Sequence, residues 1–176
     1  MSDLPQALKD CGALQFGDFT LASGAKSKYY IDIKRASTDP EVLRIIAKDM
    51  ASQISEMNLK VDRIAGIVLG SVPLAAALSL ETGIPYVMVR KEKKDHGTSK
   101  LIEGVLNKGD KVLVVEDVIT SAGSSIIGIG TLRNEGAVVE DVFSVIDREA
   151  GGEKALSDIG VRFSPLVRAS ELLREQ

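Results

Sequence analysis

The chain has 176 residues, of which 44% are hydrophobic and 27% charged, and a formal net charge of −3. That balance is ordinary for a soluble globular protein, and the length fits one domain with a full core. No apolar run reaches transmembrane length, no low-complexity linker is seen, and a slight acidity gives no general reason to expect nucleic-acid binding. The one cysteine, Cys11, excludes an intrachain disulfide. With no basic and apolar leader at the N-terminus, a reducing cytoplasm is the expected location.

Leu4, Ala7, Leu8, Cys11 and Leu14 recur at helical spacing and predict a first helix over Leu4–Leu14. Phe16–Leu21 and Tyr29–Lys34 read as short strands about a turn at Ser23-Gly24. They precede any α/β alternation, so they are expected to form a small hood outside the main sheet. Asp39 suits an N-cap and Pro40 a first turn, which starts a helix that runs to about Asn58. Its apolar face carries Val42, Ile45, Ile46, Met50 and Ile54. Arg63–Leu69 is the next strand, Gly70-Ser71 a turn, and Val72–Thr82 a helix with Pro73 in its first turn. Tyr86–Arg90 is a strand. Residues 91–104 show no sustained periodicity and read as a charged loop, made flexible by Gly97, Thr98 and Ser99.

The second half repeats the unit. Lys111–Glu116 is a strand, and its aliphatic run Val112–Val115 suits burial on both faces. Ile126–Glu135 is a helix, Val138–Ile146 a strand, and Gly151-Gly152 a break. A short helix, a strand at Val161–Val167 and a terminal helix at Ala169–Arg174 complete the alternation. The fold class is therefore α/β, with a central, mostly parallel sheet flanked by helices.

The chemistry concentrates at residues 112–125. Two carboxylates, Glu116 and Asp117, follow the strand, and then come Thr120, Ser121, Ala122, Gly123, Ser124 and Ser125, all small. A small-residue turn entering a helix presents backbone N–H groups and the positive end of the helix dipole, which is a ready site for a phosphate. Hydroxyls add donors. The acidic pair would repel a phosphate, so it suits neighbouring sugar hydroxyls or a divalent cation. One loop can thus hold a ribose ring at one end and its 5′-phosphate at the other. Gly70-Ser71 offers a second loop of the same kind. The loop at 91–104 adds Lys91, Lys93, Lys94, Lys100 and His96, the only histidine, and Arg90 precedes it. Arg148 follows the strand at Val138–Ile146, at the strand end where open α/β sheets bind ligands.

Val114-Val-Glu-Asp-Val-Ile-Thr-Ser-Ala-Gly-Ser124 resembles the phosphoribosyl pyrophosphate (PRPP) signature of type I phosphoribosyltransferases. Arg90-Lys-Glu-Lys-Lys-Asp-His-Gly97 with Leu101-Ile-Glu-Gly104 resembles the mobile catalytic loop of the orotate-specific members. Phe19-Thr-Leu-Ala-Ser-Gly24 with Ser27-Lys-Tyr-Tyr-Ile-Asp32 resembles their N-terminal segment. The motifs stand in the family's order from about Phe16 to Gly152.

The resemblance implies a type I phosphoribosyltransferase fold in one domain, residues 1–176. Residues 1–36 would be the N-terminal helix and hood, and 37–176 the α/β core. It implies transfer of the 5-phosphoribosyl group from PRPP to orotate in pyrimidine (UMP) synthesis, with Mg²⁺ held mainly through PRPP and no direct protein ligand. Lys94, His96 and Asp117 would be catalytic. PRPP would be bound by Arg90, Lys91, Lys94, His96, Glu116, Asp117, Val118, Ile119, Thr120, Ser121, Ala122, Gly123 and Ser124. Gly70 and Ser71 would form the pyrophosphate loop, and Thr120, Arg148, Tyr30 and Ile31 would contact orotate. It also implies a homodimer with shared active sites, no nucleic acid and no membrane. The chain departs from the family's common pattern at Ala22 and Gly70, where many or some members carry lysine, and in its Thr-Ser-Ala-Gly-Ser loop. Two readings remain beside this one: a transferase of the same fold for another base, against which Arg148 argues, and a PRPP-binding regulator.

Overall fold

The computed structural model describes residues 3–21, 24–92 and 100–174. Helix α1 (Leu4–Asp10) leads into an antiparallel hairpin of β1 (Leu14–Thr20) and β2 (Lys26–Ile31). Two helices follow, α2 (Ile33–Ser37) and α3 (Pro40–Glu56), and then β3 (Arg63–Ile67), α4 (Val72–Thr82), β4 (Tyr86–Val89) and β5 (Ile102–Glu103). The second half comprises β6 (Lys111–Ile119), α5 (Gly123–Asn134), β7 (Val138–Asp147), α6 (Gly152–Asp158), β8 (Arg162–Arg168) and α7 (Ala169–Arg174).

The main sheet has the order β5-β4-β3-β6-β7-β8. All neighbouring pairs are parallel except β4 with β5. Strand period 2 sends the side chains of β6 to two cores. Leu113 and Val115 pack with Ile46 and Met50 of α3 and with Leu74 and Leu78 of α4. Val112 and Val114 pack with Ile129 and Leu132 of α5 and Leu156 of α6. That two-sided burial is the reason the strand is an unbroken aliphatic run. Leu4, Leu8, Leu14, Ile31 and Ile33 join the first of these cores, so the N-terminal segment is fastened to the same apolar mass as α3 and α4.

From β3 the chain steps outward to β4, and from β6 it steps the other way to β7 and β8. The strand order therefore reverses between β3 and β6. In open α/β sheets the crevice beyond the carboxyl ends of such strands is where ligands bind.

Several expected boundaries move, each for a local reason. The first helix stops at Asp10 because Gly12 sits in the left-handed region at φ 75°, and Leu14 pairs with Ile31 in the hairpin instead. The second strand ends at Ile31, since the Asp32 side chain accepts from Lys34 N and starts α2. Strand β5 lies inside what reads as featureless loop. It holds β4 through Met88↔Glu103 and Val89↔Ile102, too short a run to carry any period. β6 runs past Glu116 to Ile119 because β7 pairs with it as far as Ile119↔Asp147. α5 begins at Gly123, before Ile126.

Candidate active site

The loops after β3 and β6 enclose a cleft of about 490 Å³. Gly70 and Ser71 form one wall, and residues 116–125 the other. Lys34 and Lys91 also line it. Each wall ends in a helix start that lacks a side-chain cap. Ser71 precedes α4 and Ala122 precedes α5, and neither side chain accepts a helix N–H. The first N–H groups of a helix have no partner within it. Two such starts beside one cleft, with two lysines, make a site for a doubly anionic ligand.

The acidic pair divides its work because consecutive strand residues face opposite ways. Glu116 points inward and is 6% exposed. Its Oε2 accepts from Ser71 Oγ and its Oε1 from Ser125 Oγ, each at 2.8 Å. Burial pushes its carboxyl above the usual range, against the lowering effect of both serines. Asp117 is half-buried, and its Oδ1 accepts from Val118 N at 2.8 Å. A Cβ added at Gly70 would stand 2.5 Å from Asp117 Oδ2. Glycine at 70 is thus what lets the loop after β3 lie against that carboxylate.

The PRPP-signature loop offers mostly backbone. Ile119 and Ala122 turn their side chains into the core, and Thr120, Ser121, Gly123 and Ser124 are exposed. Ile119 and the Thr120 carbonyl are met from behind by Gly152, where a Cβ would lie 2.4 Å from Ile119 Cγ2 and 2.8 Å from Thr120 O. The break read at Gly151-Gly152 is therefore also a close-packing requirement.

Arg148 stands at the end of β7. Its N–H donates to Ile119 O at 2.9 Å, and buried Asp147 accepts from Glu149 N at 2.8 Å, which sets the corner. Its guanidinium carbon lies 4.8 Å from the centroid of the Tyr29 ring, so the hairpin and this corner touch through a cation–π contact. Tyr30 is 42% exposed, with its ring centroid 5.6 Å from that of Phe19.

The sequence reading needs four adjustments. Each oxygen of Glu116 already accepts from a serine, so what Glu116 can offer a ligand in the cleft it lines is the remaining lone pair on each oxygen. The hydroxyl of Ser125 is spent on Glu116 and is not a free donor. The side chain of Ile31 is core, 9% exposed, so only its backbone can meet a ligand. Arg90 is held by Glu103 of β5, Nε to Oε1 at 3.0 Å, and does not line the cleft. Lys94, His96 and Ala22 lie outside the described residues. Lys34 was missed. It reads as a strand end in the sequence, and only the cap at Asp32 turns it into a helix that faces the cleft.

Residues 37–162 match the family model described as the phosphoribosyl transferase domain. Over 172 residues the chain is 52% identical to the orotate phosphoribosyltransferase of Methanosarcina mazei, a match covering 98% of this chain and 91% of that one. Its backbone is similar to the crystal structure of orotate phosphoribosyltransferase from Aeropyrum pernix, with a TM-score of 0.88, 32% identity, and 98% and 97% of the two chains covered. It is also similar to Mycobacterium tuberculosis orotate phosphoribosyltransferase in complex with PRPP, with a TM-score of 0.81, 27% identity, and coverage of 97% and 96%.

Proposed function

The chain belongs to the phosphoribosyltransferase family, and on that premise we propose that it transfers the 5-phosphoribosyl group of PRPP to N1 of orotate, giving orotidine 5′-phosphate and pyrophosphate in UMP synthesis. The observation that carries this reading is the cleft between two helix starts without side-chain caps, with Asp117 between them and Arg148 at the neighbouring strand end. It suits a ligand with a phosphate at each end and a planar carboxylate partner. Arg's fork matches that carboxylate bidentately.

In the reaction the C1–O bond to pyrophosphate breaks as the N1 lone pair forms the N1–C1 bond. The N1 proton leaves to water or to the departing pyrophosphate. Positive charge builds on the ribose ring and negative charge on the leaving group, so the protein's task is positioning and charge stabilisation. Backbone N–H groups of residues 120–124 and the start of α5 anchor the 5′-phosphate. Asp117 holds a ribose hydroxyl and lies near the developing cation. Gly70, Ser71 and the start of α4 receive the pyrophosphate, helped by Lys91 and Lys34. Lys94 and His96 belong to the same task, closing over the pyrophosphate and excluding water. Thr120, Tyr30 and the backbone at Ile31 flank the base. Lys34, Gly70, Ser71, Lys91, Asp117 and residues 120–124 line one cleft, and the roles of the other residues rest on their chemistry alone.

Mg²⁺ fits this donor set only sparingly. Of the two carboxylates that line the cleft among the described residues, Glu116 accepts from two serines and Asp117 keeps Oδ2, a hard oxygen suited to a hard cation. The ion would be held mainly by PRPP oxygens, and when bound it neutralises charge on the leaving group. A homodimer belongs to the same reading. It is supported by the apolar outer face of α4, where Leu80 is 90% exposed, and by Leu69 at the cleft rim, 77% exposed. No helix among the described residues is long and apolar enough to cross a membrane. Cys11 is a free thiol, which suits a cytoplasmic setting.

The test is absorbance loss of orotate with PRPP and Mg²⁺, run beside hypoxanthine, adenine and uracil. Turnover of orotate alone is the expected result. Turnover of another base overturns the role of Arg148, and no turnover of any base with PRPP still bound favours the regulator.

A further inference from the structure

We propose that Glu116 has a positioning role besides any contact with ligand: the Ser71–Glu116–Ser125 bridge sets the two anion-binding loops of the cleft as one unit. Ser71 closes the loop after β3 and immediately precedes α4, and Ser125 is in the first turn of α5. The two serines are 2% exposed and Glu116 6%, so the bridge is largely buried at the edge of the cleft that all three residues line. Each serine hydroxyl carries one proton, and each proton is directed at a Glu116 oxygen at 2.8 Å. Neither hydroxyl is left to donate to a ligand.

The physical consequence is coupling. A buried carboxylate is costly unless its oxygens are hydrogen-bonded, and here one donor comes from each wall of the cleft. If either wall moves alone, Glu116 keeps only one serine and becomes a half-paired buried charge. Both walls therefore hold their places together, and the separation between the two helix starts is fixed before ligand arrives. PRPP carries its 5′-phosphate and its pyrophosphate at a set spacing, so fixing that separation is preorganisation for the whole ligand. The inference rests on the proposed reaction only in naming which anion meets which wall.

The experiment is calorimetric titration of the full chain with inorganic pyrophosphate alone and with ribose 5-phosphate alone, both with Mg²⁺, on the wild type and on Ser71→Ala, Ser125→Ala, the double variant and Glu116→Gln. Thermal melting checks that each variant is folded. The expected result is a cross-effect. Ser125→Ala, on the phosphate wall, weakens pyrophosphate about tenfold, and Ser71→Ala weakens ribose 5-phosphate by about the same factor, as loss of a hydrogen bond to a charged group warrants. The double variant adds little to either single one, the mark of a shared interaction. Glu116→Gln weakens both anions. Substitutions that weaken only the anion on their own wall overturn the proposal, as does melting-temperature loss with unchanged affinities. Loss of ribose 5-phosphate binding in Glu116→Gln with pyrophosphate affinity unchanged overturns it too, since Glu116 would then act on one wall only. Variants that show the cross-effect beside a wild type that does not consume orotate overturn the activity and leave the bridge standing; orotate turnover by the wild type without the cross-effect in the variants does the reverse.

Discussion

Replacing Gly70 by alanine tests how closely the loop after β3 must lie against Asp117. The added Cβ would sit 2.5 Å from Asp117 Oδ2 and 3.2 Å from its Cγ, so the first contact falls about 0.9 Å short of an ordinary one. Asp117 cannot simply swing aside, because its Oδ1 is held by Val118 N at 2.8 Å. Either the carboxylate or the loop must shift by roughly 1 Å. A misplacement of that size in a positioned group costs on the order of 100-fold in rate, about 2.7 kcal/mol of transition-state stabilisation. Gly70 lies outside the left-handed region, so alanine brings no backbone strain and even narrows the unfolded ensemble. The melting temperature should therefore hold while kcat/KM for PRPP falls. The assay is the decrease of orotate absorbance at varied PRPP, with a thermal melt alongside. A Gly70→Ala variant with wild-type kcat and KM would refute the argument that this contact positions Asp117.

Other outcomes are expected from the same geometry. Arg148→Lys keeps the charge but loses the fork and its stacking on Tyr29, and should lower kcat/KM for orotate by about 100-fold while pyrophosphate affinity, read by calorimetry, stays unchanged. Glu116 has its folded-state pKa raised by burial, so the folded chain binds its proton more tightly than the unfolded chain. Stability from this group is therefore lost as pH climbs from the ordinary carboxylate value through the raised one. Glu116→Gln lacks that titration, and its melting temperature should gain on the wild type as pH rises across the window; a constant difference refutes the assignment. Glu149 is shifted the opposite way by the hydrogen bonds it accepts from Ser170 N and Oγ, so its contribution is present above the ordinary carboxylate value and lost as pH falls through the lowered one. Ser170→Ala should lessen this acid-side loss in a pH series of melts. Phe143→Ala empties a fully buried site in the first core and should cost about 3–5 kcal/mol in urea unfolding, with orotate KM unchanged in the folded fraction.

The strand–loop–helix units are legible in the sequence because their signals are local. Val112–Val115 declares a strand covered on both faces, Asp39-Pro40 declares a helix start, and Thr120–Ser124 declares a tight turn before a helix. Those signals also find most of the cleft wall. They miss β5, since two residues carry no period, and they misread Lys34, since a one-residue cap at Asp32 decides between strand and helix.

What the sequence alone determined is the α/β order, the family resemblance and the small-residue loops, all set by spacing along the chain. What only the tertiary structure decided is which groups meet across it. The adjacent carboxylates Glu116 and Asp117 look equivalent in the sequence, yet strand alternation sends one to two buried serines and leaves the other beside Gly70. Likewise Arg148 and Tyr29 come together only because the hairpin packs on the core against which β7 ends. Partners so far apart in the chain depend on strand register and on side-chain direction, and no local pattern encodes either.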